Sequence, residues 1–177
     1  MTATRPRIRR YVADHPGVHF NELTRALDLA PGQVQYHLRR LKRADSVVEE
    51  SLYGRTHYYT PDFDADERAR IALLRRETAR DVLVVLMTAG PSAPATVADG
   101  LDIARSTLEW HLDHLVEQEL VEKERDSRNR VTLVLSDPET TARLLGVVDP
   151  SLADRLVDRF TRLVDGLLAG DPDASQR

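Results

Sequence analysis

The 177-residue sequence contains no cysteine. That one absence excludes disulfides, zinc-finger ligation, thiolate metal sensing and a cysteine nucleophile. Aromatic residues are scarce, at 5% with a single Trp, so the chain can bury modest aliphatic cores but not the thick core of a large α/β enzyme. The longest wholly apolar run, Val82 to Met87, is too short to span a bilayer, and no membrane partner is expected. Nothing at the N-terminus pairs a basic start with an apolar core and a small-residue cleavage site, so a cytoplasmic protein is expected. Gly-rich phosphate loops, a G-x-S-x-G turn and paired acid/base carboxylates are missing too. Neither catalysis nor a cofactor is expected.

Charge is present, and it is unevenly placed. Residues 1–60 hold 10 basic and 6 acidic side chains, a net +4, whereas residues 61–177 hold 15 and 23, a net −8. Arg supplies 23 of the 25 basic residues and Asp 18 of the 29 acidic ones, a bias expected from a GC-rich genome or a salt-adapted proteome. In a salty medium excess carboxylates keep the surface hydrated, so a local basic patch serves a specific polyanion. That patch lies in the first 60 residues.

The sequence matches itself at an offset of 74 residues. Leu27-Asp28-Leu29-Ala30 recurs as Leu101-Asp102-Ile103-Ala104, and Tyr36-His37-Leu38-Arg39-Arg40-Leu41 recurs as Trp110-His111-Leu112-Asp113-His114-Leu115. In the first copy, Arg5 to Asp14 reads as a basic helix with Ile8 and Val12 inward, stopped by His15-Pro16-Gly17. Val18 to Phe20 is an extended entry, Asn21 an N-cap, and Glu22 to Leu27 a second helix with Leu23, Ala26 and Leu27 inward. Pro31 opens a third helix running to about Ala44, with Val34, His37, Leu38 and Leu41 at core spacing. Val47 to Leu52 and His57 to Thr60 are β-rich runs joined by Tyr53-Gly54-Arg55-Thr56. This is the order of a winged helix-turn-helix.

The second copy follows a polar stretch, Pro61 to Glu67, with Arg68 to Ala89 reading as one long helix. Ala95 to Leu101 and Arg105 to Gln118 form its helix-turn-helix; Leu120 to Arg125 and Arg130 to Leu135 form its wing. Helices are also expected at Pro138 to Val148 and Leu152 to Ala169, the latter with Leu152, Leu156, Phe160, Leu163 and Leu167 on one side. The expected architecture is mainly α with small β-hairpin wings: a DNA-binding module at 1–60, a linker helix at 61–78, a divergent second module at 79–136 and dimerising C-terminal helices at 137–177.

Three segments carry a family resemblance: His19-Phe20-Asn21-Glu22-Leu23, Tyr36-His37-Leu38-Arg39-Arg40-Leu41, and the wing from Tyr53-Gly54-Arg55 to Tyr58-Tyr59. In these the chain resembles archaeal, in particular haloarchaeal, winged-helix transcription regulators of the ArsR and MarR type. The resemblance covers residues 5–60 well and 79–136 loosely. It implies DNA binding through the third helix and wing of a homodimer.

The residues themselves support a nucleic-acid partner. The third helix has Arg39, Arg40, Lys42 and Arg43 and no acid. Its spacing turns Gln33, Gln35, Tyr36, Arg39, Arg40 and Arg43 outward. Gln pairs with adenine edges and Arg with guanine, and the amides of Gly32 and Gln33 face a phosphate. Arg55 on the wing suits the minor groove or the backbone, and Arg5, Arg7, Arg9 and Arg10 suit further phosphates. The second copy carries Glu109 and Asp113 where the first has Gln35 and Arg39, which removes its groove-reading groups. Its wing arginines, Arg125, Arg128 and Arg130, leave a backbone contact open. His37 and His111 read as core-side packing, and His111, His114 and Glu117 as a coincidence of spacing, so no metal site is expected. The competing reading is a tandem winged-helix adaptor that holds a protein partner through the acidic second module.

Overall fold

The 74-residue offset holds down to single backbone angles. Asp28 and Asp102 both take left-handed φ, 51° and 52°, and so do Asp45 and Glu119, at 49° and 55°. The first pair closes the turn of each helix-turn-helix, and the second reverses the chain between the third helix and the wing. A short polar side chain tolerates this region better than an apolar one, which explains why aspartate occupies three of the four positions.

The computed structural model describes residues 4–152. Module one comprises α1 (Thr4–Asp14), α2 (Phe20–Leu27), α3 (Pro31–Arg43), β1 (Val48–Leu52) and β2 (Arg55–Tyr59). A linker helix α4 (Ala65–Leu74) leads to module two, which comprises α5 (Glu77–Ala89), α6 (Pro94–Gly100), α7 (Arg105–Glu117), β3 (Val121–Arg125) and β4 (Val131–Leu135). Helix α8 (Pro138–Val148) follows. Each wing is an antiparallel pair, β1 with β2 and β3 with β4. A residue before each second helix joins the wing by an isolated bridge, Val18 to Tyr58 in module one and Ser92 to Leu133 in module two. The fold is therefore mainly helical with two small hairpins, tandem winged helix-turn-helix modules.

The core of module one is Ile8, Val12, Val18, Leu23, Val34, Leu38, Leu41, Val47 and Tyr58. Along α3 the buried residues are Val34, Leu38 and Leu41, an i, i+4, i+7 stripe worth roughly 1.5–3 kcal/mol per side chain by transfer. Module two shares its larger core with α4, α8 and Tyr59 of β2. Tyr59 thus ties the two modules together, and its hydroxyl donates to the Arg68 carbonyl at 2.9 Å.

The stretch 68–89 is two helices, not the one expected. Asp64 caps α4 by accepting from the Glu67 amide at 2.8 Å, and Glu67 accepts from the Asp64 amide at 3.3 Å, so the helix starts before Arg68. It ends at Arg75, and Arg76 is extended at φ −89°, ψ 123°. The break lets Ile71, Ala72, Leu73 and Leu74 bury on consecutive sides, while α5 buries a single stripe of Ala79, Val82, Leu83 and Leu86. Helix α4 also holds module one. Arg68 pairs with Glu50 and Arg75 with Glu22, both at 2.5 Å. Gly17 sits at φ 75° where a Cβ would lie 3.0 Å from Ile71 Cγ2, so both its angle and the close approach of α4 require glycine.

Smaller departures concern boundaries. Helix α2 begins at Phe20 with His19, not Asn21, at the N-cap, and Ala26 is exposed where the core was expected. The His19 ring is used elsewhere, Nδ1 donating to the Thr56 carbonyl at 2.9 Å. Tyr53 and Gly54, at φ 51° and 75°, make a two-residue turn, so Arg55 is the first residue of β2 opposite Leu52. Helix α8 places Leu144 and Leu145 in the module-two core, against α4 and α5. The expected helix Leu152 to Ala169 lies outside the described residues beyond Leu152. Among the described residues no helix is long and apolar enough to cross a membrane.

Candidate nucleic-acid interface

Helix α3 is positioned from beneath by its apolar stripe, which leaves the opposite face to polar residues. Gln33, Gln35, Tyr36, Arg39, Arg40 and Arg43 are all exposed, and so is Arg55 on β2. They fall into two rows. Gln35, Arg39 and Lys42 border a groove of about 450 Å³ between α3 and the wing, closed by Glu49, Tyr58 and Phe20. Lys42 pairs with Glu49 at 2.7 Å, so the wing's carboxylate takes up that ammonium. Gln35, Arg39 and Arg43 make no hydrogen bond or ion pair among the described residues. In the other row Arg40 Nη1 donates to the Tyr36 hydroxyl at 3.2 Å, with its guanidinium 5.8 Å from the ring centroid. This pre-orders one cation over one ring.

Two expected contributions are reduced. Gln33 Oε1 accepts from the Ala30 amide at 3.3 Å, which occupies the carbonyl half of that amide in capping the helix. The Gln33 backbone amide itself bonds the Ala30 carbonyl at 2.9 Å, leaving Gly32 as the amide open to an anion at this terminus. In α1, Arg7 donates to the Leu27 carbonyl at 3.0 Å and Arg10 lies 3.7 Å from Asp14, so half of that basic cluster is engaged within module one.

The equivalent face of module two carries different groups. Lys123 of β3 pairs with Glu109 at 3.0 Å and Asp113 at 3.5 Å, and Arg105 lies 3.8 Å from Glu109. In module one the base is on the helix and the acid on the wing; in module two the signs are exchanged. Wing two is also internally paired. Asp126 accepts from the Arg128 and Arg130 amides, each at 2.9 Å, and from Arg130 Nε at 2.7 Å, bonds that hold its carboxyl below the usual range. His111 is buried, and burial first, then Arg76 and His114, lowers its pKa. Its neighbour His114 turns away, Nδ1 donating to the Trp110 carbonyl at 2.7 Å. Among the described residues no group of three or more His, Asp or Glu is placed to hold a metal ion.

One contact was not legible in the sequence. The wing turn of module one rests on α7 of module two. Tyr53 meets His114 edge-on at 5.0 Å, Trp110 lies tilted by 37° against His114 at 4.2 Å, and Arg76 lies 4.8 Å over Trp110 while donating to the Tyr53 carbonyl at 2.5 Å. Trp110 occupies the repeat position of Tyr36 but is 40% exposed against 52%. Its face is covered by Arg76, which in turn bonds the wing turn of module one. The only signal for this was the exchange of Tyr36 for the chain's single Trp.

Fold and surface together define a protein with two helix-turn-helix domains. A family model described as an N-terminal HTH domain matches residues 2–71, and one described as a helix-turn-helix domain matches residues 73–124. The chain is similar, at 26% identity over 134 residues, to the uncharacterized HTH-type transcriptional regulator MJ1398 of Methanocaldococcus jannaschii. That match covers 76% of this chain and 34% of the relative, so the chain spans about a third of that protein's length. Among solved structures, disulfide-formed AbfR matches with a TM-score of 0.38 at 15% identity, over 84% of this chain and 94% of its own. ScpB from Mycobacterium tuberculosis matches with a TM-score of 0.32 at 17% identity, over 81% and 98%.

Proposed function

We propose that this chain is a sequence-specific, DNA-binding transcription regulator of the archaeal ArsR and MarR type, with a haloarchaeal source and a cytoplasmic site of action. The observation that carries the reading is the outer face of α3, where amide, phenol and guanidinium groups lie exposed without a single acid. In this reading Gln35, Arg39 and Arg43 read base edges, Tyr36 and Arg40 act as a pre-ordered pair, Gln33 contributes its free amide nitrogen, and Arg55 holds backbone. Residues 1–60 are the reader, 61–78 the linker and 79–136 the divergent module. The tail, 137–177, joins two copies so that their α3 helices enter successive major grooves about 34–36 Å apart. The name of the Methanocaldococcus relative supports regulation, and the two helix-turn-helix matches support the nucleic-acid partner.

The test is recovery of genomic DNA by the tagged protein beside the Arg39→Ala/Arg40→Ala variant. Discrete fragments sharing a motif, and lost in the variant, are expected. Diffuse or absent enrichment overturns the reading in favour of an adaptor whose partner is a protein held by the acidic second module. The dimer is checked separately by light scattering: truncation before Pro150 is expected to give monomers, and a surviving dimer moves the interface elsewhere.

A further inference from the structure

The arginines of the linker are not treated alike. Arg68, Arg70 and Arg75 each face a carboxylate, Glu50, Glu119 and Glu22. Arg76, at the N-cap of α5, instead finds a carbonyl and a ring. One of its five N–H donors goes to the Tyr53 carbonyl at 2.5 Å, and its guanidinium lies over Trp110 at 4.8 Å. Two residues beyond Tyr53, across the left-handed Gly54, the next cation is Arg55, exposed and without an ion pair among the described residues. Burial first, and then Arg55, lowers the Arg76 pKa. Glu77 is next in sequence, and Glu117 acts on the Tyr53 hydroxyl. Neither forms an ion pair with Arg55 or Arg76.

We infer that Arg76 and Arg55 form a two-guanidinium site for a backbone phosphate of duplex DNA at the junction of the modules. Trp110 and His114 of the second module bracket the wing that carries it. Arg76 is bonded to the turn that carries Arg55, and a phosphate diester presents two oxygens to two guanidinium forks. The bracket gives α7 a role although its reading groups are gone: it fixes the direction of the first module's wing. This inference rests on the proposed DNA binding.

The test is a salt titration of anisotropy with a labelled random-sequence duplex, following Trp110 fluorescence at the same time. Each phosphate contact contributes about 0.9 to the slope of log affinity against log salt. Arg55→Ala and Arg76→Ala are each expected to lower the slope by about one such contact, the double variant by about two, and Arg76→Lys to restore it. Duplex is expected to shift the wild-type Trp110 emission and not that of Arg76→Ala. Arg55→Ala leaves the bracket untouched, so an unchanged slope in that variant overturns the site even if Arg76→Ala misfolds. A wild-type protein without duplex affinity overturns the inference and the proposed function together. Duplex binding that Arg39→Ala/Arg40→Ala weakens, with slopes unmoved by Arg55→Ala and Arg76→Ala, overturns the inference alone.

Discussion

The two modules share a backbone and differ in the chemistry of one helix face. Helices α3 and α7 are both 13 residues, and each follows an extended alanine, Ala30 or Ala104, and ends before a left-handed acid. Val34, Leu38 and Leu41 have their counterparts in Leu108, Leu112 and Leu115, all buried. On the outer face Gln35 becomes Glu109, Arg39 becomes Asp113 and Tyr36 becomes Trp110. The inward pattern determines the fold and tolerates almost any exterior; the exterior determines whether a polyanion is attracted or another module is held. A winged helix-turn-helix is thus a frame whose recognition helix can be rewritten as a docking surface without disturbing its core.

If the frames are equivalent, equivalent core truncations should cost alike. Leu38→Ala and Leu112→Ala are each expected to lose about 2–5 kcal/mol in denaturant unfolding. The second should fall at the upper end, because Leu112 sits in the larger cluster with α4 and α8. A negligible loss at either site breaks the equivalence. Next in size, Gln35→Ala is expected to weaken specific duplex binding by about 1–3 kcal/mol, with the loss confined to one base position.

Acid should separate the modules further. His57 is buried with Nδ1 donating to the Gly17 carbonyl at 2.9 Å, and burial lowers its pKa to about 4. The unfolded chain takes up a proton near pH 6.5 that the folded wing refuses until about pH 4, so stability falls as pH drops through that window. Thermal unfolding of His57→Gln between neutral and acid pH is expected to show a shallower loss than wild type. An identical pH profile would place the acid sensitivity elsewhere. The smallest effect is expected at Lys123→Ala, which exposes Glu109 and Asp113 to each other at a half-exposed site. About 1 kcal/mol or less should be lost, and that loss should shrink in high salt.

Much of this was readable from residue order. Pro31 and Gly32 after Asp28, and the apolar spacing of Val34, Leu38 and Leu41, locate α3 without reference to anything distant. The offset of the repeat then locates α7. The capping box of Asp64 and Glu67 lies inside the stretch read as a polar boundary, so the helix was expected to start at Arg68 and starts at Ala65. The break at Arg75 and Arg76 had no local marker, because neither glycine nor proline is there; it follows from the need to bury Ile71 to Leu74 on several sides at once. The outward residues of α3 were legible because helical spacing alone sends them to solvent. The docking of Tyr53 on His114 and of Arg76 on Trp110 was not, since it joins segments 61 and 34 positions apart through tertiary packing alone.

Only the first module is expected to read DNA, and one duplex titration compares two matched double variants, Arg39→Ala/Arg40→Ala and Glu109→Ala/Asp113→Ala, on a fragment recovered with the wild-type protein. The first is expected to lose tenfold or more in affinity, the size of at least one lost base contact at about 1–3 kcal/mol, and the second to match wild type. Equal losses in both, or a loss confined to the second, would contradict the claim and make α7 a reader in its own right.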